Sequence, residues 1–320
     1  MTTTSKPGNA AAREWSRADL RDLASFCSDD GFACSLDEPL SRHLSMGVGG
    51  PAAAMIWPPH PEAVAALVAW ISGRGLCSRV LGGGTNVMAG DRGVEDAVIN
   101  LTRLTEGTSI SEHLATFPAG LPTAQALNMT VREGLDGLVW ATGLPGTVGG
   151  AVAGNAGCWG GEMATTVDTL EVVTAQGSWL KIAVADLDWS YRRLDLARKA
   201  GTGSIVVSAT MALEPGDPRA LADRSEELQA RKRSGQPVGA RNAGCVFRNP
   251  QGDRSAGLLI DRAGCKGMRV GNAEISSVHA NFIINRGGAS GAEIEELIER
   301  VKGEVEARFG VLLEEEIRRW

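Results

Sequence analysis

The stretch that most constrains the fold of this chain is residues 143–161, GLPGTVGGAVAGNAGCWGG. Eight of its nineteen residues are glycine, and the residues between them are mostly small. Glycine adopts positive φ freely and lets backbone approach a neighbour closely, but it weakens the interior of a helix or strand. The stretch is also too apolar for a flexible linker. We therefore expect an ordered segment without a good helix or strand, whose backbone lies against a flat, extended ligand.

A second glycine-rich loop, LGGGTNVMAGDRG, covers residues 81–93. Consecutive backbone N–H groups without Cβ obstruction can bind an anion, and Thr85 and Asn86 would add side-chain donors. No Gly-Lys-Ser/Thr follows, so the loop is not a Walker motif, and the G-x-G-x-x-G spacing of a Rossmann site is absent. Alone, the loop is a weak signal, which a plain glycine turn fits nearly as well. Two such loops in one chain favour a dinucleotide held by main chain.

Composition excludes several classes of protein. With 43% hydrophobic and 22% charged residues the chain is typical of a soluble protein, and no apolar run approaches the ~20 residues of a membrane helix. The net charge is −6 and no basic tract is present, which argues against nucleic acid as a partner. The start lacks the pattern of a secretory signal, so we expect a cytoplasmic protein. A monomer is the default expectation, with an oligomer left open.

The spacing of the six cysteines indicates neither a metal site nor disulfide bonds. They are Cys27, Cys34, Cys77, Cys158, Cys245 and Cys265. No C-x-x-C pair and no suitably spaced histidine accompanies them, so we expect no metal site, and disulfides are rare in cytosolic proteins. Most are expected to be small buried residues. Cys245, in NAGCVFRNP, could also be a nucleophile or a proton donor, and the nucleophile lacks a nearby histidine in sequence.

Periodicity and turn residues predict an α+β chain in three parts: an N-terminal extension (1–38), a glycine-rich body (39–215) and a smaller C-terminal domain (216–320). Helices are predicted at SRADLRDLASFC after Ser16, 61–75, 122–134, 219–233 and 290–308. Strands are predicted at 78–81, AVINL, 113–117, a hairpin turning at Gln176-Gly177, SIVVSATMAL, ANFIIN and VLLEEEIRRW.

Eight ordered motifs carry a resemblance to a known family. They are LSMGVGGPA (44–52), LGGGTNVMAGDRGVEDAVINL (81–101), GLDGLVWATGLPGTVGGAVAGNAGCWGGEM (134–163), SYRR (190–193), GCVFRNP (244–250), AGLLIDRAGCKG (256–267), HANFIIN (279–285) and FGVLLEEEI (309–317). Together they resemble the MurB family, UDP-N-acetylenolpyruvoylglucosamine reductase (UDP-N-acetylmuramate dehydrogenase), over about residues 40–320. The resemblance implies a two-part FAD-binding domain of the vanillyl-alcohol-oxidase (PCMH) type, about 39–104 and 105–215. A smaller α+β substrate-binding domain, 216–320, would follow.

The resemblance also implies the reaction. NADPH would reduce FAD, and a hydride would then pass to the enolpyruvyl ether of a UDP-sugar, giving UDP-N-acetylmuramate for peptidoglycan. Hydride addition of this kind builds negative charge on the α-carbon and its carboxylate. The site must therefore stabilise an enolate-like species and supply a proton.

Residue roles follow from the matching motif positions. The resemblance implies Arg192, Cys245 and Glu316 as catalytic residues, and Tyr191, Asn249 and His279 as substrate-binding residues. It implies cofactor contacts at Gly49, Gly50, Gly82, Gly83, Gly84, Thr85, Asn86, Gly143, Gly146, Gly149, Gly150 and Asn155. Neither glycine loop contains a histidine, so FAD is expected to bind without a covalent link.

Several positions depart from the family pattern. Cys245 stands where many members carry a serine that donates the proton, and a thiol gives up a proton more readily than a hydroxyl. Leu194 replaces the serine of Tyr-Arg-x-Ser, Ser190 a glycine and Glu274 a glutamine, while Arg248 stands where lysine is frequent. These departures keep two alternatives open: a related flavin oxidoreductase acting on another acceptor, and a flavin- or UDP-sugar-binding protein without turnover. The set of Arg192, Cys245 and Glu316 favours an enzyme.

Overall fold

The computed structural model describes residues 13–320. Its first part comprises α1 (Arg17–Asp29), β1 (Ala33–Pro39), β2 (Pro51–Trp57), α2 (Pro61–Ser72), β3 (Ser78–Leu81), β4 (Val87–Met88) and β5 (Val94–Asn100). The sheet has the order β1-β2-β5-β3, with β2, β5 and β3 parallel and β1 antiparallel at one edge. Leu67 and Ile71 of α2 share a buried cluster with Ile56 and Ile99 of the sheet. This packing fixes the position of the loop that follows β3.

Much of the predicted N-terminal extension, residues 1–38, is built into this first part. The predicted helix is confirmed as α1, capped by the Ser16 side chain, and its Leu23 is fully buried in the cluster with α2. The sequence did not predict β1, which pairs with β2 and so belongs to the sheet. Residues 1–12 of the extension lie outside the described residues.

The middle part is built on a second sheet. Its elements are β6 (Ser109–Ser111), β7 (Leu114–Pro118), α3 (Thr123–Arg132), β8 (Leu135–Asp136), α4 (Val148–Ala153), β9 (Gly157–Cys158), β10 (Gly161–Glu162), β11 (Val167–Val173), β12 (Trp179–Ala183), β13 (Asp188–Ser190), β14 (Arg193–Asp195), α5 (Ala197–Ala200), β15 (Ile205–Ala212) and β16 (Glu214–Pro215). The antiparallel sheet has the order β12-β11-β15-β7-β6. The predicted hairpin is confirmed as β11 and β12, with Gly177 at φ +80° in its turn.

The expectation that residues 143–161 form no helix is wrong for α4. The Val148 and Gly149 N–H groups donate to Leu121 O and Ala119 O, each at 2.9 Å. A Cβ on Gly149 would lie 2.6 Å from the Ala119 Cβ. Small residues thus allow one short helix to lie directly against the turn after β7. These tertiary contacts stabilise a helix that intrinsic propensity disfavours.

The C-terminal part contains α6 (Pro218–Gly235), α7 (Ala256–Arg262), β17 (Arg269–Val270), β18 (Ala273–Ile275), β19 (Ile283–Asn285), α8 (Gly291–Phe309) and β20 (Arg318–Arg319). Leu297 and Val301 of α8 pack with Ile260 of α7, and Met88 of the first part belongs to the same core. In contrast, α6 buries Leu221 in the core of the middle part. No helix within residues 13–320 is long and apolar enough to cross a bilayer.

The predicted strand at residues 311–320 is wrong for most of its length, because only β20 belongs to a sheet, paired in parallel with β4. The residues before β20 make single backbone bonds to a loop instead. Glu316 N–H donates to Val246 O and Arg248 N–H donates to Glu314 O, both at 2.8 Å. The end of the chain therefore runs between the loop at 244–250 and the loop that follows β3.

Candidate active site

The two glycine-rich loops pack directly against each other, through backbone and threonine hydroxyl contacts. A Cβ on Gly83 would lie 2.8 Å from Gly146 Cα, and one on Gly82 would lie 2.5 Å from Thr147 Oγ1. A Cβ on Gly146 would lie 2.7 Å from Thr85 Oγ1. Side chains cannot be accommodated at such distances without displacing the neighbouring loop. Glycine at these positions is therefore required by the contact between the loops.

The other glycines of the predicted cofactor set lie against different neighbours. The atoms nearest to an added Cβ belong to His43 for Gly84, Ala89 for Gly49, Asp91 for Gly50, Ala119 for Gly149 and Lys232 for Gly143. The structure thus brings Gly82, Gly83, Gly146 and Gly150 together beside Thr147. The other five glycines allow close packing against the neighbours named above.

The paired loops fit the dinucleotide that the resemblance implies. Thr147 Oγ1 is buried and has no hydrogen-bond partner within residues 13–320. Buried polar atoms are usually hydrogen-bonded, so this hydroxyl is suited to a ligand oxygen. Beside it, Thr85 is half-buried and Asn86 is exposed. Backbone N–H groups, two hydroxyls and an amide form a donor set suited to a diphosphate.

Arg192 lies at the tip of the hairpin of β13 and β14, where it forms the two-residue turn together with Tyr191. Its φ is +58°, which non-glycine residues rarely adopt. Arg192 Nε donates to Glu316 Oε1 and Nη2 donates to Gly157 O, both at 2.9 Å. The guanidinium carbon lies 4.9 Å from the centroid of the exposed Tyr191 ring. The hairpin thus presents a cation and an aromatic ring beside the glycine segment.

Glu316 reaches the same place from the end of the chain. The Glu316 and Arg192 side chains are only 17% and 23% exposed. Burial raises the pKa of the Glu316 carboxyl, although the Arg192 charge opposes the shift. Asn86 Nδ2 donates to Glu316 O at 3.3 Å, so the loop after β3 touches this residue. Glu315, the preceding residue, pairs instead with Lys302 of α8 at 2.5 Å.

Cys245 is half-buried next to the Arg192–Glu316 pair. Val246, the following residue, accepts the Glu316 N–H at 2.8 Å. Burial, with a further contribution from the Glu316 charge, raises the pKa of Cys245 to about 11, while the charges of Arg192 and Lys232 act in the opposite direction. The group is therefore a neutral thiol at physiological pH. It can donate a proton and is a poor nucleophile.

The raised pKa of Cys245 predicts slow alkylation. We expect iodoacetamide to modify Cys245 slowly at about pH 8. The rate should rise about tenfold for each further pH unit up to about pH 11, because only the thiolate reacts. Mass spectrometry of the digested protein measures this, with the exposed Cys77 as internal reference. Equal modification of the two cysteines at about pH 8 would contradict a thiol that is neutral at that pH.

Asn249 and His279 each lie near the start of α7. Asn249 Oδ1 accepts the Ala256 N–H at 3.0 Å, and a Cβ on Gly257 would lie 3.3 Å from His279 Cε1. Burial, and to a lesser extent the charge of Lys266, lowers the pKa of His279. The imidazole is therefore mainly neutral near pH 7 and offers a hydrogen bond more than a charge.

Asn155, predicted to bind the cofactor, is enclosed by protein. It is only 1% exposed. Its Oδ1 accepts the Ala164 N–H and its Nδ2 donates to Ser190 O, both at 3.0 Å. The amide is thus tied to the hairpin that carries Arg192, and no exposed face of it is left for a ligand.

Sequence reasoning missed Lys232 of α6. Its Nζ donates to Gly143 O, burial lowers its pKa, and its charge acts on Cys245. In sequence it sits between Arg231 and Arg233 in a charged run typical of a solvated helix face. Nothing local separates it from these neighbours, so only the packing of α6 on the middle part identifies it.

Two family models match the chain. One described as "FAD binding domain" matches residues 52–183, and one described as "UDP-N-acetylenolpyruvoylglucosamine reductase, C-terminal domain" matches residues 236–320. The predicted architecture, an FAD-binding domain followed by a second α+β domain, is confirmed.

Known proteins match over nearly the whole chain. UDP-N-acetylenolpyruvoylglucosamine reductase of Geobacter metallireducens is 40% identical over 282 residues, which is 88% of this chain and 92% of the relative. The enzyme of the same name from Desulfosudis oleivorans is 38% identical over 292 residues, with the same shares covered. The crystal structure of UDP-N-acetylenolpyruvylglucosamine reductase (MurB) from Thermus caldophilus superposes with a TM-score of 0.77 and 33% identity, covering 90% of this chain and 98% of the other. The chain therefore belongs to the UDP-N-acetylenolpyruvoylglucosamine reductase (MurB) family of oxidoreductases, which use FAD and NADPH.

Proposed function

We propose that this protein reduces the enolpyruvyl ether of UDP-N-acetylenolpyruvoylglucosamine with electrons from NADPH, giving UDP-N-acetylmuramate for peptidoglycan synthesis in the cytoplasm. One observation carries the proposal. A partly buried guanidinium, a carboxylate and a protonated thiol, from Arg192, Glu316 and Cys245, come together next to the loop after β3. This is the set of groups that a hydride addition to an enol ether requires.

The paired glycine loops are the proposed FAD site. Gly82, Gly83, Gly146 and Gly150 supply backbone N–H groups, and Thr147 supplies a buried hydroxyl without a protein partner within residues 13–320. When bound, FAD would supply the hydride chemistry that links NADPH to the β-carbon of the enolpyruvyl group. The flavin would be held without a covalent bond, by main chain and hydroxyl groups.

Arg192 is proposed to bind the substrate carboxylate. Its Nε and Nη2 are held by Glu316 and Gly157, and Nη1 has no hydrogen-bond partner within residues 13–320. A guanidinium fixed in this way can receive the charge that develops on the carboxylate without reorganising. Glu316 is proposed to fix this orientation and to share the site with the thiol.

Cys245 is proposed to donate the proton to the α-carbon. Its pKa of about 11 keeps it protonated at neutral pH. The S–H bond breaks as the C–H bond forms, and the thiolate that remains lies near the positive charges of Arg192 and Lys232. The departure from serine therefore preserves a proton donor at this position.

Tyr191, Asn249 and His279 are proposed to bind the substrate. The exposed Tyr191 ring lies beside Arg192 at the hairpin tip. Asn249 and the neutral imidazole of His279 lie together at the start of α7. They would contribute hydrogen bonds to the UDP moiety.

Two departures from the family pattern are taken up by contacts within the protein. Leu194 packs on the core of the middle part. Glu274 is buried and pairs with Arg269 at 2.5 Å and Arg286 at 3.6 Å. Because both residues have partners within the protein, neither calls for a hydride acceptor other than the enolpyruvyl ether.

An anaerobic experiment tests the proposed function. We expect NADPH to bleach the flavin of the purified protein, and UDP-N-acetylenolpyruvoylglucosamine to restore its absorbance. UDP-N-acetylglucosamine, which has no enolpyruvyl group, is the matched control and should restore nothing. A flavin that stays reduced after addition of the enolpyruvyl substrate would overturn the proposal.

A further inference from the structure

Asn155 adopts a backbone conformation that glycine usually occupies. Its φ is +38°, and it follows the last turn of α4. Asn155 N–H donates to Val152 O at 3.0 Å and Ala156 N–H donates to Ala151 O at 2.8 Å. This is the Schellman arrangement, in which glycine is the commonest residue at the left-handed position. An asparagine here needs a reason beyond ending the helix.

The reason lies in the side chain, which bridges two other segments. Asn155 Oδ1 accepts the Ala164 N–H and Nδ2 donates to Ser190 O, each at 3.0 Å. Ser190 is the last residue of β13, immediately before the turn of Tyr191 and Arg192. The amide thus fixes the end of β13, next to the turn, to the glycine segment.

The same segment also holds the tip of the hairpin. Two residues after Asn155, Gly157 O accepts Arg192 Nη2 at 2.9 Å. Arg192 itself has φ +58° in a turn whose conformation is costly for a side chain. Such a conformation persists only where the surroundings impose it. The contacts from residues 155–157 to the backbone of Ser190 and to the guanidinium of Arg192 provide that constraint.

We infer that Asn155 is a positioning residue for Arg192: its amide holds the β13–β14 hairpin so that the guanidinium is fixed between Gly157 and Glu316. This inference rests on the proposed function, since it assumes that Arg192 binds the substrate carboxylate. It assigns Asn155 to the substrate half-reaction, with no contact to the flavin. Loss of the amide releases the hairpin and misplaces the guanidinium, and a misplacement of about 1 Å can cost about 10²-fold in rate.

Two variants separate the contacts of the side chain. Asn155→Asp keeps the acceptor for Ala164 N–H but places an oxygen opposite Ser190 O, whereas Asn155→Gly keeps the left-handed backbone and removes the whole amide. Asn285→Asp is a matched control. Asn285 is also buried, and its amide also joins separate backbone groups. Its Oδ1 accepts the Gly287 N–H at 2.9 Å and the Ala289 N–H at 3.1 Å, and its Nδ2 donates to Met46 O at 2.9 Å.

The expected result is a split between the half-reactions. Both Asn155 variants should retain FAD and be reduced by NADPH at the wild-type rate, while reoxidation by substrate slows by about 10²-fold. In an Arg192→Ala background the Asn155 variants should cause no further loss, because residues that act through one group are not additive. Loss of FAD, equal slowing of both half-reactions, wild-type reoxidation, or full additivity with Arg192→Ala would each overturn the inference.

Limited proteolysis gives a readout that needs no substrate. Trypsin should cut after Arg192 or Arg193 faster in Asn155→Asp than in the wild type and in Asn285→Asp, since a released hairpin opens locally. Unchanged cleavage would overturn the inference. If Asn155→Asp folds poorly, Asn155→Gly can be compared with Asn285→Asp in its place. A wild-type protein that is not reoxidised by substrate would sink the proposed function and leave the proteolysis result to decide on the hairpin.

Discussion

Replacing Cys245 by alanine is expected to leave reduction of the flavin by NADPH unchanged and to slow reoxidation by substrate by about 10²–10⁴-fold. Cys245 carries a proton at neutral pH, because burial raises its pKa to about 11. Hydride transfer to the flavin requires no such proton. Stopped-flow absorbance of the two half-reactions under anaerobic conditions measures the split.

Cys245→Ser is the matched variant. A hydroxyl retains a donor of similar size, so Cys245→Ser is expected to keep much more of the substrate half-reaction than Cys245→Ala. Equal slowing of both half-reactions in Cys245→Ala would mean that the side chain shapes the site without donating a proton. If the alanine variant is reoxidised at the wild-type rate, another group is the donor.

Two substitutions of Arg192 are expected to reduce activity equally but to differ in stability. Arg192→Ala and Arg192→Gly should both slow the substrate half-reaction by about 10²–10³-fold, because each removes the proposed partner of the carboxylate. The glycine variant should nevertheless be more stable than the alanine variant by about 1 kcal/mol, since a Cβ at φ +58° is strained and glycine has none. Urea unfolding of the two FAD-bound variants measures the difference.

Arg193 offers the control for this pair. It is the next residue, its side chain is 65% exposed, and it pairs with Asp195 at 2.6 Å. Arg193→Ala is expected to leave both half-reactions unchanged. It should lower the free energy of unfolding by only about 0–1 kcal/mol, the usual contribution of an exposed ion pair. A glycine variant no more stable than the alanine variant would show that the turn is unstrained. Wild-type turnover in either Arg192 variant would remove Arg192 from the mechanism.

Local pattern predicted the elements with strong periodicity and failed where the pattern was weak. The cores of α2, α3, α6 and α8 and the β11–β12 hairpin agree with their predicted positions. β1 was missed because ACSLDEP mixes polar and apolar residues at a sheet edge, where one side needs no burial. The short α4 was missed because VGGAVA has poor helix propensity, and contacts with the turn after β7 override it.

The chemistry of Cys245 divides in the same way. The sequence has a thiol at the position of the family's proton donor, and the ordinary pKa of a thiol is about 8.5. The raised pKa depends on burial and on the charges of Glu316, Arg192 and Lys232, which lie at different distances along the chain. No window around residue 245 contains that information.

The family, the two glycine loops and the identity of the proposed catalytic residues can be predicted from local motifs, because each motif is a short stretch of consecutive residues. The contacts of those residues depend on tertiary packing. Arg192 and Glu316 are 124 positions apart, yet Arg192 Nε donates to Glu316 Oε1 at 2.9 Å. Asn155, which was predicted to bind the cofactor, instead donates to Ser190 O in the hairpin that carries Arg192. Such contacts arise when separate parts pack on shared cores, and packing depends on the whole chain at once, whereas turn, cap and periodicity signals act between near neighbours.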